Sequence, residues 1–85
     1  MTSGNDNVAI GYAAGRYIAD GVTNQAVPSG SIYIGINSKA QADNQYNQIV
    51  IGSGSIGSGS NTTVIGNGAT TATYLGGALY MLAGG

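Results

Sequence analysis

Four times in 85 residues this chain runs through a short apolar stretch that ends in Ile-Gly: Asn7-Val8-Ala9-Ile10-Gly11, Ser31-Ile32-Tyr33-Ile34-Gly35, Gln48-Ile49-Val50-Ile51-Gly52 and Thr62-Thr63-Val64-Ile65-Gly66. The closing isoleucines, at 10, 34, 51 and 65, lie 24, 17 and 14 residues apart. A fixed short core with connections of variable length is the mark of a stacked repeat, in which each unit buries its apolar surface against the next. The stretch Gly52-Ser53-Gly54-Ser55-Ile56-Gly57-Ser58-Gly59-Ser60 looks at first like a flexible linker. It holds the same place in its repeat as Asn37-Ser38-Lys39-Ala40-Gln41-Ala42, and is therefore expected to be ordered.

Each apolar stretch is β-branched, short and closed by glycine, which points to a strand followed by a corner. After the corner, small residues alternate: Ser38, Ala40 and Ala42; Ser55, Gly57 and Gly59; Ala69, Thr71 and Thr73. Residues of this size suit a thin interior where backbones pass close together. Alternation along the strand sets Val8 with Ile10, Ile32 with Ile34, Ile49 with Ile51, and Thr63 with Ile65 on one face. Because these are the most apolar positions, the expected interior of the roll is Val8, Ile10, Ile32, Ile34, Ile49, Ile51 and Ile65. The residues between them, Ala9, Tyr33, Val50 and Val64, are then expected to face outward. They are apolar too, and a strand apolar on both faces needs a second partner. In so short a chain that partner is expected to be another copy of itself.

Composition supports association. A chain of this length buries little surface alone, and it has no Cys for disulfides, no Cys or His for zinc, and no Trp or Phe. The two basic and three acidic residues leave a net charge of −1 and no basic patch, which argues against nucleic acid as a partner. No apolar run approaches the roughly 20 residues of a membrane span, and no signal peptide is evident at the N-terminus.

The pattern apolar-x-Ile-Gly followed by small-x-small at about 14 residues resembles the YadA-like head repeat of trimeric autotransporter adhesins, which also occurs in phage tail fibres. The likeness covers residues 7 to 73 and is strongest at 31–42 and 63–69, while Gly57 and Gly59 stand where that family more often has Ala. It implies an all-β fold, a left-handed parallel β-roll or solenoid of about four short repeats, with three chains packed about a three-fold axis. On this reading residues 1–74 form the roll, 15–30 are an insertion loop, and 75–85 form an apolar C-terminal strand leading into a further domain. The implied interface between subunits is Ala9, Tyr33, Val50 and Val64.

Chemistry is sparse. With no His, Cys or Glu, the commonest general base, the thiolate nucleophile and most carboxylate pairs are missing, so no catalytic residue is assigned and no enzyme is expected. The spacing Gly52, Gly54, Gly57 fits a loose G-x-G-x-x-G, but Ser, Gly and Thr follow it rather than a helix, and no acid occurs after Asp43. Asp6 and Asp43 beside asparagines read as turn residues rather than calcium ligands. No metal and no cofactor are expected. The insertion carries the lone proline, Pro28, and one of the two cations; its Arg16, Tyr17, Asp20 and Asn24 are candidate contacts for a host cell-surface glycan or protein.

The expected function is thus a structural and adhesive module of a phage tail fibre or receptor-binding protein, located in the virion. The head of a bacterial surface adhesin is the related alternative. From another class comes an ice-binding solenoid, although Thr62, Thr63, Thr70, Thr71 and Thr73 cluster in the last copy alone.

Overall fold

The computed structural model describes residues 6–82. Each of the four repeats supplies one three-residue strand: β1 (Val8–Ile10), β2 (Ile32–Ile34), β3 (Ile49–Ile51) and β4 (Thr63–Ile65). They form one sheet in the order β1-β2-β3-β4, every pair parallel. The register matches the sequence alignment: Ala9, Tyr33, Val50 and Val64 are cross-strand neighbours, and so are Ile10, Ile34, Ile51 and Ile65. No helix occurs among the described residues, so the protein is all-β with a four-stranded parallel sheet, an arrangement compatible with a solenoid.

Parallel neighbours require the chain to travel away and return between strands. Here the return legs are themselves joined. Gly15 N–H donates to Ser38 O, Lys39 N–H to Ser55 O and Gly57 N–H to Lys39 O, each at 2.8 Å. Isolated parallel bridges link Ile18 with Ala40, Lys39 with Ile56 and Ser29 with Tyr46. The Gly-Ser stretch is part of this second ladder, with Ser55 and Gly57 buried.

Two corners recur. After each strand Gly11, Gly35, Gly52 and Gly66 take φ of 121°, 127°, 136° and 106°, values that side-chain-bearing residues rarely adopt. A Cβ on Gly35 would also lie 2.6 Å from Gly52 O. Two residues before each strand the chain turns through the left-handed region at Asp6, Gly30, Asn47 and Asn61, with φ of 60°, 57°, 52° and 63°. Aspartate and asparagine tolerate that region better than other side chains, and the Asn47 Nδ2 donates to Asn61 Oδ1 at 2.9 Å across adjacent repeats.

The expected assignment of strand faces is reversed. Tyr33 and Val50 are fully buried together with Ala40, and Ala14 packs against them. Val8 (46%), Ile10 (58%) and Ile65 (59%) are exposed, and Ile32, Ile34, Ile49 and Ile51 are half-buried. The inward row therefore runs Ala9, Tyr33, Val50, Val64, with Ala9 and Val64 less covered because they end the stack. The reason is space. The return leg brings backbone against the inner face, and Ser31, Ser38, Gln48 and Ser55, all fully buried, share the cavity. Two isoleucines per strand would overfill it. Gly57 shows how tight the cavity is, since a Cβ there would collide with the Gln48 side-chain oxygen and stand 3.2 Å from Val50 Cγ2.

Beyond β4 the chain forms no further strand up to residue 82, so the segment expected to be a strand over 75–85 is unpaired through its described part. Leu75, Leu79, Tyr80, Met81 and Leu82 are exposed. Residues 83–85 of that segment, and 1–5 of the expected roll, lie outside the described residues.

Candidate functional site

Two features of the surface stand out from the regular stack. The first is the insertion between β1 and β2. Tyr17 and Asn24 pair as an antiparallel bridge, with Ile18 N–H donating to Thr23 O at 2.9 Å and Gln25 N–H to Arg16 O at 2.7 Å, so residues 16–25 form a small hairpin. Asp20 closes its tip. One carboxylate oxygen accepts from the N–H groups of Val22 (2.9 Å) and Thr23 (2.8 Å), and the other from the Thr23 hydroxyl (2.5 Å). These bonds, the Thr23 hydroxyl foremost, hold the Asp20 carboxyl below its ordinary value of 3.8.

All four candidate contact residues therefore sit on one hairpin. Arg16, Asp20 and Asn24 are exposed and Tyr17 is half-buried. The Arg16 guanidinium lies over the Tyr17 ring, 4.8 Å from its centre, a cation–π contact that holds the ring on the hairpin. The Ile18 backbone forms a parallel bridge with Ala40 of the second repeat.

The hairpin is anchored by two side chains, Gln25, which sequence reasoning passed over, and Asp43, which it read as a turn residue. Gln25 turns fully inward, where its Nε2 donates to Gly15 O at 2.8 Å and its Oε1 accepts from the Tyr33 hydroxyl at 2.9 Å. Asp43, from the next repeat, accepts from the N–H groups of Ala26 (3.0 Å), Val27 (2.8 Å) and Asn44 (2.8 Å). Burial raises the Asp43 pKa, but the three amides outweigh it and the carboxyl titrates below 3.8. Neither Gln25 nor Asp43 follows the repeat pattern, whereas the polar residues Asn7, Ser31, Gln48 and Thr62, each immediately before a strand, share the inward face with its middle residue by alternation.

The second feature is the outward face of the ladder. Val8 and Ile10, Ile32 and Ile34, Ile49 and Ile51, and Thr63 and Ile65 form two adjacent rows running across all four strands. Thr63 is the single polar member. Of the two threonines that open the last repeat, Thr63 faces out, whereas Thr62 is half-buried with its hydroxyl donating to Gly59 O at 2.7 Å. Tyr33 and Val50, the expected interface residues, have no exposed surface to offer a partner.

Among the described residues no three of His, Cys, Asp and Glu come together in a way that could hold a metal ion, and no helix is long and apolar enough to cross a membrane. Comparison of the chain with profiles of known families, with curated proteins and with solved structures gives no significant match.

Proposed function

We propose that this chain is a structural and adhesive module of a phage tail fibre or receptor-binding protein, in which three copies of a left-handed parallel β-roll pack about a common axis. The observation that carries the reading is the double row of Val and Ile on the outward face of the ladder. A stripe of β-branched side chains across a parallel sheet, with no charge among them, is the kind of surface that a stable subunit interface covers. The rows Val8, Ile32, Ile49 and Ile10, Ile34, Ile51, Ile65 thus take the interface role, in place of Ala9, Tyr33, Val50 and Val64.

Such an assembly is stiff because all four repeats are hydrogen-bonded along the strand ladder and the first three also along their return legs, leaving few unpaired stretches there for a protease to enter. The hairpin at 16–25 stands on this base as the surface for a host glycan or protein, with Asn24, Arg16 and the edge of Tyr17 as its polar and aromatic groups. Loops held by a rigid scaffold are where recognition residues concentrate.

Light scattering at several dilutions tests the assembly. The wild-type chain is expected at three times its 8.4 kDa mass, and Ile34→Asp or Ile51→Asp should dissociate it, since a charge buried at an apolar interface is strongly unfavourable. A folded wild-type monomer overturns the trimer, and a trimer that survives both substitutions overturns this choice of interface.

A further inference from the structure

The ladder stops at β4. Among the described residues Thr63–Ile65 pairs with β3 on one side and with no strand on the other. An open edge of this kind is normally charged, kinked or covered, yet Thr63, Val64 and Ile65 carry no charge. At this end a hollow of about 430 Å³ opens, lined by Gly54, Ile56, Val64 and Gly68 among others.

The chain itself contains a segment that matches this edge. Leu79-Tyr80-Met81 repeats the apolar-Tyr-apolar order of Ile32-Tyr33-Ile34, and Ala78 precedes it where small or polar residues precede the other strands. Gly77, two residues before Leu79, has φ of 95°, and the same position relative to β1–β4 holds Asp6, Gly30, Asn47 and Asn61, all left-handed. The span fits as well. Leu79 follows Ile65 by 14 residues, between the 12 from Ile51 to Thr63 and the 15 from Ile34 to Ile49. Within that span Ala69 and Thr71 continue the alternation of small residues. Despite these matches Leu79, Tyr80 and Met81 are 68%, 87% and 59% exposed.

We propose that Leu79-Tyr80-Met81 is a fifth rung, a strap of the same chain that closes on the free edge of β4 in parallel register. Leu79 then lies beside Thr63, Tyr80 beside Val64 and Met81 beside Ile65. Tyr80 enters the hollow on the inward face, as Tyr33 does in β2, while Leu79 and Met81 extend the two outward rows. Leu82 occupies the place of the corner glycines 11, 35, 52 and 66, so the ladder ends there. The structure shows the strap open. The inference concerns a single chain and holds whatever the number of subunits.

The chain has no cysteine, so an introduced pair reports unambiguously. Adjacent strands lie about 4.8 Å apart, within the Cα separation that a disulfide spans. In the full chain, Thr63→Cys with Leu79→Cys is expected to form an intrachain disulfide under mild oxidation. The pair Thr63→Cys with Tyr80→Cys, whose second sulfur faces inward, should form it roughly tenfold more slowly or not at all. On the unsubstituted chain, hydrogen exchange gives an independent reading. The Leu82 amide should exchange at least about tenfold more slowly than an unpaired one, because it would donate to Ile65 O as Gly66 N–H donates to Ile51 O at 2.8 Å. A covalent dimer in place of the intrachain bond overturns closure by the same chain. An absent disulfide, or an unprotected Leu82 amide, overturns the fifth rung.

Discussion

The Tyr33 hydroxyl donates to the Gln25 side-chain oxygen at 2.9 Å, with both residues fully buried. One bond thereby joins the middle of β2 to the base of the insertion that precedes it. Gln25 also reaches Gly15 O, the point where the insertion leaves the regular path. The hairpin can project without disturbing the stack because its two ends are held together from the inside. Tyr33→Phe keeps the ring but leaves the Gln25 oxygen buried without this donor, and is expected to cost about 1–3 kcal/mol. Urea denaturation with an unchanged slope checks this, and a variant as stable as wild type would mean that the bond adds nothing.

The same hydroxyl makes the fold sensitive to alkali. Burial, the main cause, raises the Tyr33 phenol above its ordinary value of 10.0. Unfolded chains lose this proton near pH 10 while the folded chain retains it, so the contribution is complete below about pH 10 and is lost as pH rises through the raised value. The stability of wild type should fall over that window, and Tyr33→Phe should flatten the fall. Phenolate absorbance followed alongside circular dichroism would show whether ionisation and unfolding coincide.

Acid acts on the insertion and its anchor. Asp20 and Asp43 both titrate below 3.8 in the folded chain, so the stability they contribute is present above that value and is lost as pH falls through the lowered ones. Exchange of the Thr23 and Val27 amides should accelerate first, ahead of global unfolding. Asp43→Asn is expected to weaken the acid dependence at Val27 and leave it intact at Thr23; equal loss at both sites would contradict the separate roles given to the two carboxylates.

Backbone geometry supplies a pair of opposite outcomes. Gly35→Ala would place a methyl 2.6 Å from Gly52 O at φ of 127°, and should destabilise by about 3 kcal/mol or prevent folding. Ala13 already sits at φ of 56°, in a region that costs a side-chain-bearing residue about 1–2 kcal/mol. Ala13→Gly relieves that strain against a smaller entropic loss in the unfolded chain and is expected to stabilise by up to about 1 kcal/mol. Thermal melts of both variants test the two signs together.

Much of the fold was legible from four aligned Ile-Gly pairs. They located all four strands, their common register and the corner glycines, because a stacked repeat places equivalent residues side by side and the alignment of copies is already the pairing. They also marked the Gly-Ser stretch as part of the stack. Alternation separated two faces of each strand but could not orient them. Reading the most apolar face as the inside placed Ile32, Ile34, Ile49 and Ile51 in an interior that has room only for Tyr33, Val50 and the small residues opposite. The hairpin pairing of Tyr17 with Asn24 and the inward turn of Gln25 left no such pattern, since the insertion occurs once and has no second copy to align.

What the sequence by itself determined, then, was the ladder: period, register, strand positions and corners, all consequences of local φ preferences and of repetition along one dimension. The tertiary structure alone decided which face is core and which is surface, because that depends on the distance between the strand and its return leg. It also decided how the insertion is held, because the bonds from Gln25 to Gly15 and Tyr33, and from Asp43 to Ala26 and Val27, join residues from separate parts of the chain that only the folded backbone brings within reach.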